Sequence, residues 1–141
     1  MQSWFVYALL SAFFASLTAI LAKIGIKGID SNLATAIRTI VILLFAWSIV
    51  FFQGTYKQLG SISKFSLIFL ILSGLATGIS WLFYFKALQS GNASQVAPID
   101  KLSLALTILL AVFILKEKVT LSVVFGTLLM LAGALLIGFG K

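Results

Sequence analysis

The chain has 141 residues, of which 62% are hydrophobic and 9% charged, and its formal net charge is +7. A soluble domain is about 45–50% apolar, so this composition and the mean hydropathy of +1.20 are those of an integral membrane protein. His and Cys are absent and the acids are Asp30, Asp100 and Glu117 alone, which excludes a zinc site, a thiol nucleophile, disulfides and His-based catalysis.

With no nucleophile–base pair and no metal-ligand set, the chain is expected not to be an enzyme and to carry no cofactor or metal. The basic residues sit singly at the ends of apolar runs, as charge flanking membrane helices does, so a nucleic-acid partner is not expected.

A bilayer core takes about 20 apolar residues per helix, and the sequence supplies five such runs in an all-α arrangement, read as one transmembrane domain over 1–141. The first covers about 4–22, with Trp4 and Tyr7 where an aromatic belt would lie. Met1-Gln2-Ser3 lacks the basic start of a secretory signal and the run is too long for one, so a retained helix is expected. Lys23, Lys27 and Asp30 mark the first turn.

The second run covers about 33–52 and carries Arg38 some six residues in; the polar stretch from Gly54 to Lys64 is the longest connection. The third covers about 65–88. Ser73, Thr77, Ser80, Trp81 and Tyr84 recur on it at spacings of three and four, so they share one stripe. That stripe is either the polar and aromatic wall of a cavity or, for Trp81 and Tyr84, an anchor at the membrane interface. Gly74 and Gly78 form a GxxxG pair, a helix-packing signal of low specificity.

After the turn Gln89-Ser90-Gly91-Asn92 the fourth run covers about 93–115. Pro98 lies in its first third. It either breaks the helix beside a site, freeing backbone carbonyls, or is tolerated in the opening turns. Asp100, Ser103 and Thr107 share a face, and Lys101 follows Asp100. Lys116-Glu117-Lys118 is a short turn, so the fourth and fifth runs are expected to be antiparallel neighbours. The fifth covers about 119–139, with Gly126, Gly133 and Gly140 at a seven-residue repeat and Ala134 and Gly138 nearby. The repeat reads as packing, at a contact between protomers.

Arg38, Asp100 and Lys101 are the charged groups deep inside spans. All three enter from the same side, at a depth of about 8–12 Å. Burying them is costly unless they meet a partner or a cavity, and pairing Arg38 with Asp100 is the simplest relief. The alternative for Arg38 and Lys101 is that they snorkel to the interface. Asp is too short to snorkel far, which makes Asp100 the better candidate for a substrate- or proton-linked role.

Five crossings put the two ends of the domain on opposite sides. The side holding the first residue carries Lys57, Lys64, Lys116 and Lys118, and the other carries Lys23, Lys27, Lys86 and Lys141, four against four. The balance becomes four against six if Arg38 and Lys101 are added to the second side. Either way positive-inside bias is weak. Dual insertion is expected, against a single orientation set by a subtle bias or by the insertion machinery.

The run Ala87-Leu88…Gly91-Asn92-Ala93-Ser94…Val96-Ala97-Pro98, then Glu117, Gly126 and Ala132-Gly133, resembles the second part of an EamA domain, the repeat unit of the drug/metabolite transporter superfamily. Lys23 and Arg38 agree with its first part. Two inverted five-helix repeats are the common form in that superfamily. This chain has one, and resembles the single-repeat bacterial and archaeal type, to which Pro98-Ile99-Asp100-Lys101 looks typical. By the resemblance Glu117 is the acid ending the fourth span. Its neighbours Lys116 and Lys118 favour a structural turn there. Small multidrug resistance exporters of the same superfamily use a glutamate within the first span, and no acid lies there in this chain.

The resemblance and the odd span count together imply a secondary transporter of small metabolites in the plasma or inner membrane, built as an antiparallel homodimer with alternating access. Arg38 and Lys101 against Asp100 sum to +1 in each protomer, which favours solutes with an anionic group, such as amino acids or organic acids. The expected partners are a second inverted copy, the solute and membrane lipid. The alternatives are a non-transporting accessory subunit of a hetero-oligomer and a flippase for lipids or lipid-linked sugars.

Overall fold

The computed structural model describes residues 3–140. Lys141, counted above with the basic residues of one side, lies outside them, as do Met1 and Gln2. Six α-helices follow in order: α1 (Ser3–Gly25), α2 (Ser31–Gln53), α3 (Lys64–Ser90), α4 (Ala93–Asp100), α5 (Ser103–Phe113) and α6 (Leu121–Phe139). No strand occurs among the described residues. With α4 and α5 taken together as Ala93–Phe113, five helical segments of 19 to 27 residues are long and apolar enough to cross a membrane. At 1.5 Å per residue the shortest is about 28 Å long, close to a hydrocarbon core of about 30 Å.

Local chemistry sets the helix ends. Asp30 takes an extended backbone (φ −60°, ψ 137°) before α2, and its Oδ1 accepts the N–H groups of Asn32 at 2.9 Å and Leu33 at 3.1 Å. A side-chain oxygen there satisfies donors that the first turn leaves unpaired. Gly54 closes the same helix in the left-handed region at φ 70°, its N–H on the Phe51 carbonyl at 3.1 Å. Gly at this position escapes the penalty a Cβ would bring. The polar stretch that follows is not an open loop: Thr55–Ser61 forms a 3₁₀ helix. Thr120 caps α6 by accepting from the Val123 N–H.

The fourth span is not continuous. Pro98 has no N–H to donate to the preceding turn, and just after it the backbone tightens. Lys101 N–H bonds the Pro98 carbonyl at 3.1 Å, Leu102 the Ile99 carbonyl at 3.0 Å and Leu104 the Lys101 carbonyl at 3.0 Å, all three residues back. The helix therefore breaks at Lys101-Leu102, three residues beyond the proline.

The chain divides into two compact units, one of residues up to Ile20 and from Ser90, the other Leu21–Gln89. In the second unit Lys23 Nζ, at the end of α1, donates to the Leu88 carbonyl at 2.5 Å, and Gln89 Nε2 donates to the Ile29 carbonyl at 3.0 Å. The end of α3 is thus tied to the end of α1 and to the turn before α2. Ala22, Ile26, Ser31, Thr35, Phe85 and Leu88, all at that end, are buried.

In the first unit α6 packs on α4 and α5, as expected for antiparallel neighbours across a short connection. Ala134 of α6 is buried, and one turn on Gly138 meets Ile99 of α4, whose Cγ1 lies 3.0 Å from where a Cβ on Gly138 would stand. Elsewhere the helices expose Leu, Ile, Val and Phe on nearly every face. Such a surface is stable in hydrocarbon and not in water.

Candidate functional site

Arg38 lies on the second turn of α2, on the face that carries Ser31 and Thr35. Its guanidinium carbon sits 5.0 Å from the centroid of the Trp81 ring and 4.7 Å from that of Phe85. Trp81 and Phe85 are four residues apart on α3, so they form one wall. Phe85 is buried at 1% exposure and fixes that wall, and Tyr84 packs edge-on against it at 6.3 Å and 65°. Of the candidate residues, the structure thus brings Arg38 and Trp81 together.

No carboxylate of the Leu21–Gln89 unit neutralises Arg38. The acid of that unit, Asp30, lies two turns back along α2 and is committed to the cap. A cation–π contact returns about 0.5–2 kcal/mol. An Arg at the centre of a membrane helix costs about 2.5–3.5 kcal/mol on insertion scales. The aromatic wall offsets part of that cost and leaves the in-plane N–H donors to other acceptors.

Asp100 and Lys101 stand at the break between α4 and α5. Lys101 Nζ donates to Asp100 Oδ2 at 3.2 Å, and Ser103 Oγ donates to the Asp100 carbonyl at 2.8 Å. Neither charged side chain is buried, with 55% of Lys101 and 35% of Asp100 exposed, so the pair holds little energy by itself. Pro98 lies within α4, one turn before the break. Arg38 and Asp100 each have a contact within their own unit.

The hydroxyls of the two polar stripes turn inward to their own helices. Thr77 Oγ1 donates to the Ser73 carbonyl at 2.9 Å and Thr107 Oγ1 to the Ser103 carbonyl at 2.9 Å. Back-bonding of this kind satisfies a hydroxyl without a partner across the bundle, so these stripes do not by themselves require a cavity. Ser73, Thr77 and Ser80 are exposed.

At Gly74, Gly78, Gly126 and Gly133 no atom of another helix among the described residues comes within 4 Å of a would-be Cβ. Those small-residue faces are open. Among the described glycines Gly138 is in close contact with a neighbouring helix; it shares a face with Ala134 and falls outside the seven-residue repeat. Phe85 was likewise not singled out from the sequence. Its place four residues after Trp81, beside Tyr84, is the signal that would have found it.

The model of the EamA-like transporter family matches residues 2–139. Over 136 residues, 96% of each chain, the protein is 48% identical to one of Sinorhizobium sp described as an uncharacterized transporter in the cobO 3′ region. It is also 29% identical over 107 residues to an uncharacterized protein of Methanocaldococcus jannaschii, covering 70% of this chain and 78% of that one. No solved structure matches it significantly. With five membrane-spanning segments and a family match along nearly its whole length, the chain is a multi-pass membrane protein that belongs to the EamA-like transporter family.

Proposed function

We propose that this chain is a secondary transporter of small anionic metabolites, amino acids or organic acids, acting in the plasma or inner membrane as an antiparallel, dual-topology homodimer with alternating access. The observation that carries this reading is the openness of the span faces. At Gly74, Gly78, Gly126 and Gly133 no other helix among the described residues comes within 4 Å of a would-be Cβ, and small residues on membrane helices serve close approach of another helix. A second, inverted copy of this five-span unit supplies the counterpart, and the near balance of basic residues on the two sides permits both orientations. Inverted units place a site near the midplane and alternate access by rocking.

The three charged groups deep in the spans, Arg38 and Lys101 against Asp100, sum to one positive charge in each protomer, which favours anionic over cationic solutes. Reporters active on one side of the membrane only, each fused after Lys141, test the topology: both give signal under this reading, and signal from one alone rejects dual insertion. Uptake into proteoliposomes tests the substrate class, and preference for a permanently cationic solute rejects it.

A further inference from the structure

We infer that Arg38, stacked on Trp81 and Phe85, is a receptor for a single oxyanion, the carboxylate of a small solute. The source of that carboxylate rests on the transport reading above; the receptor itself does not. The guanidinium lies 5.0 Å and 4.7 Å from the two ring centroids, so its π face is occupied. Aromatic rings take the face of a guanidinium and leave its in-plane N–H donors unused. Those donors form a fork that matches the two oxygens of a carboxylate, which a point-charge ammonium does not.

The surroundings fix the fork and leave it unneutralised. Phe85 is fully packed, and the end of α3 that carries it is pinned by the bond from Lys23 to the Leu88 carbonyl. Lys23 is thereby engaged with backbone. Asp30 is engaged at the start of α2. Among the described residues no Asp or Glu pairs with Arg38, and the residue is only half-buried, so an anion has access. A positioned, uncompensated guanidinium about 10 Å inside a membrane helix recruits an oxyanion. A lipid phosphate offers the same chemistry as a solute carboxylate.

The test uses the purified full chain with Trp4→Phe and Trp47→Phe, so that Trp81 is the remaining tryptophan and reports on the site. It is titrated in lipid-free detergent with C3–C6 monocarboxylates, with the matching neutral amides at equal ionic strength, and with dimethyl phosphate. A saturable change in Trp81 emission with the carboxylates and none with the amides is expected. Arg38→Gln abolishes it, and Arg38→Lys, which keeps the charge and the fold, weakens it at least about tenfold.

Saturation by dimethyl phosphate alone keeps the oxyanion receptor, assigns it to a lipid headgroup and overturns the solute assignment. No saturation by either anion, or equal response to the neutral amides, overturns the receptor. Binding with no uptake in proteoliposomes removes the transport reading and leaves the receptor; uptake without Arg38-dependent binding does the reverse.

Discussion

Ile99 of α4 lies so close to Gly138 of α6 that any side chain at 138 overlaps it. The two helices meet there without room for a methyl group, one turn from buried Ala134. Gly138→Val forces Ile99 from its position and is expected to destabilise the protein by about 1–3 kcal/mol. Unfolding in mixed detergent measures this. Ile99→Ala in the same chain removes the overlapping atoms and recovers part of the loss. Strictly additive penalties for the two changes would show that the contact is not what limits residue 138. Gly74→Val, which meets nothing within 4 Å, is expected to stay within about 0.5 kcal/mol of the parent.

The positions of the spans were legible from hydropathy and turn residues, because length and apolarity dictate membrane helices almost alone. The break after Pro98 was legible as a candidate, but its place at Lys101-Leu102 depends on where the backbone shifts to bonds three residues back, which composition does not encode. The 3₁₀ helix at Thr55–Ser61 sat in a stretch whose polarity shows only that it is outside the span. For the site, the spacing of Trp81 and Tyr84 marked one face of α3, whereas the contact of Trp81 with Arg38 follows from the docking of α2 against α3. The glycine repeat on α6 pointed to Gly126, Gly133 and Gly140. The contact with α4 within the chain follows the i, i+4 phase of Ala134 and Gly138, since a single helix face against one neighbour recurs every 3.6 residues.

The two bonds from Asp30 Oδ1 to the N–H groups of Asn32 and Leu33 hold the start of α2, the helix that carries Arg38. Asp30→Ala is expected to cost about 1 kcal/mol, with faster hydrogen exchange at Asn32 and Leu33. Asp30→Asn keeps an accepting oxygen and most of the stability. An equal loss in both variants would mean that the charge, and not the cap, is what matters.

Asp100 and Lys101 make an open ion pair at 3.2 Å on a broken helix, so its removal carries little thermodynamic weight. Asp100→Asn is expected to change unfolding stability by less than about 1 kcal/mol while uptake in proteoliposomes is lost. Unchanged uptake with the variant, at equal protein per liposome, would reduce Asp100 to a local partner of Lys101. Lys101→Gln in parallel tells whether the pair or the carboxylate alone is required.

Lys116 occupies the left-handed region at φ 57°, in the connection between α5 and α6 where the Glu117 N–H reaches back to the Ala111 carbonyl at 3.2 Å. A side chain there costs about 1–2 kcal/mol that glycine avoids. Lys116→Gly is expected to stabilise the chain by about 1 kcal/mol, and Lys118→Gln, which removes the same charge from the same connection, is expected not to. Both variants lower the basic count of that side from four to three. Under dual insertion both therefore shift the ratio of the two C-terminal reporters in the same direction, towards placing the other side in the cytoplasm. Stability separates the two variants while topology does not, so backbone strain and charge bias at one short connection are measured independently. A reporter ratio that stays fixed in both would mean that the orientation is not set by these lysines.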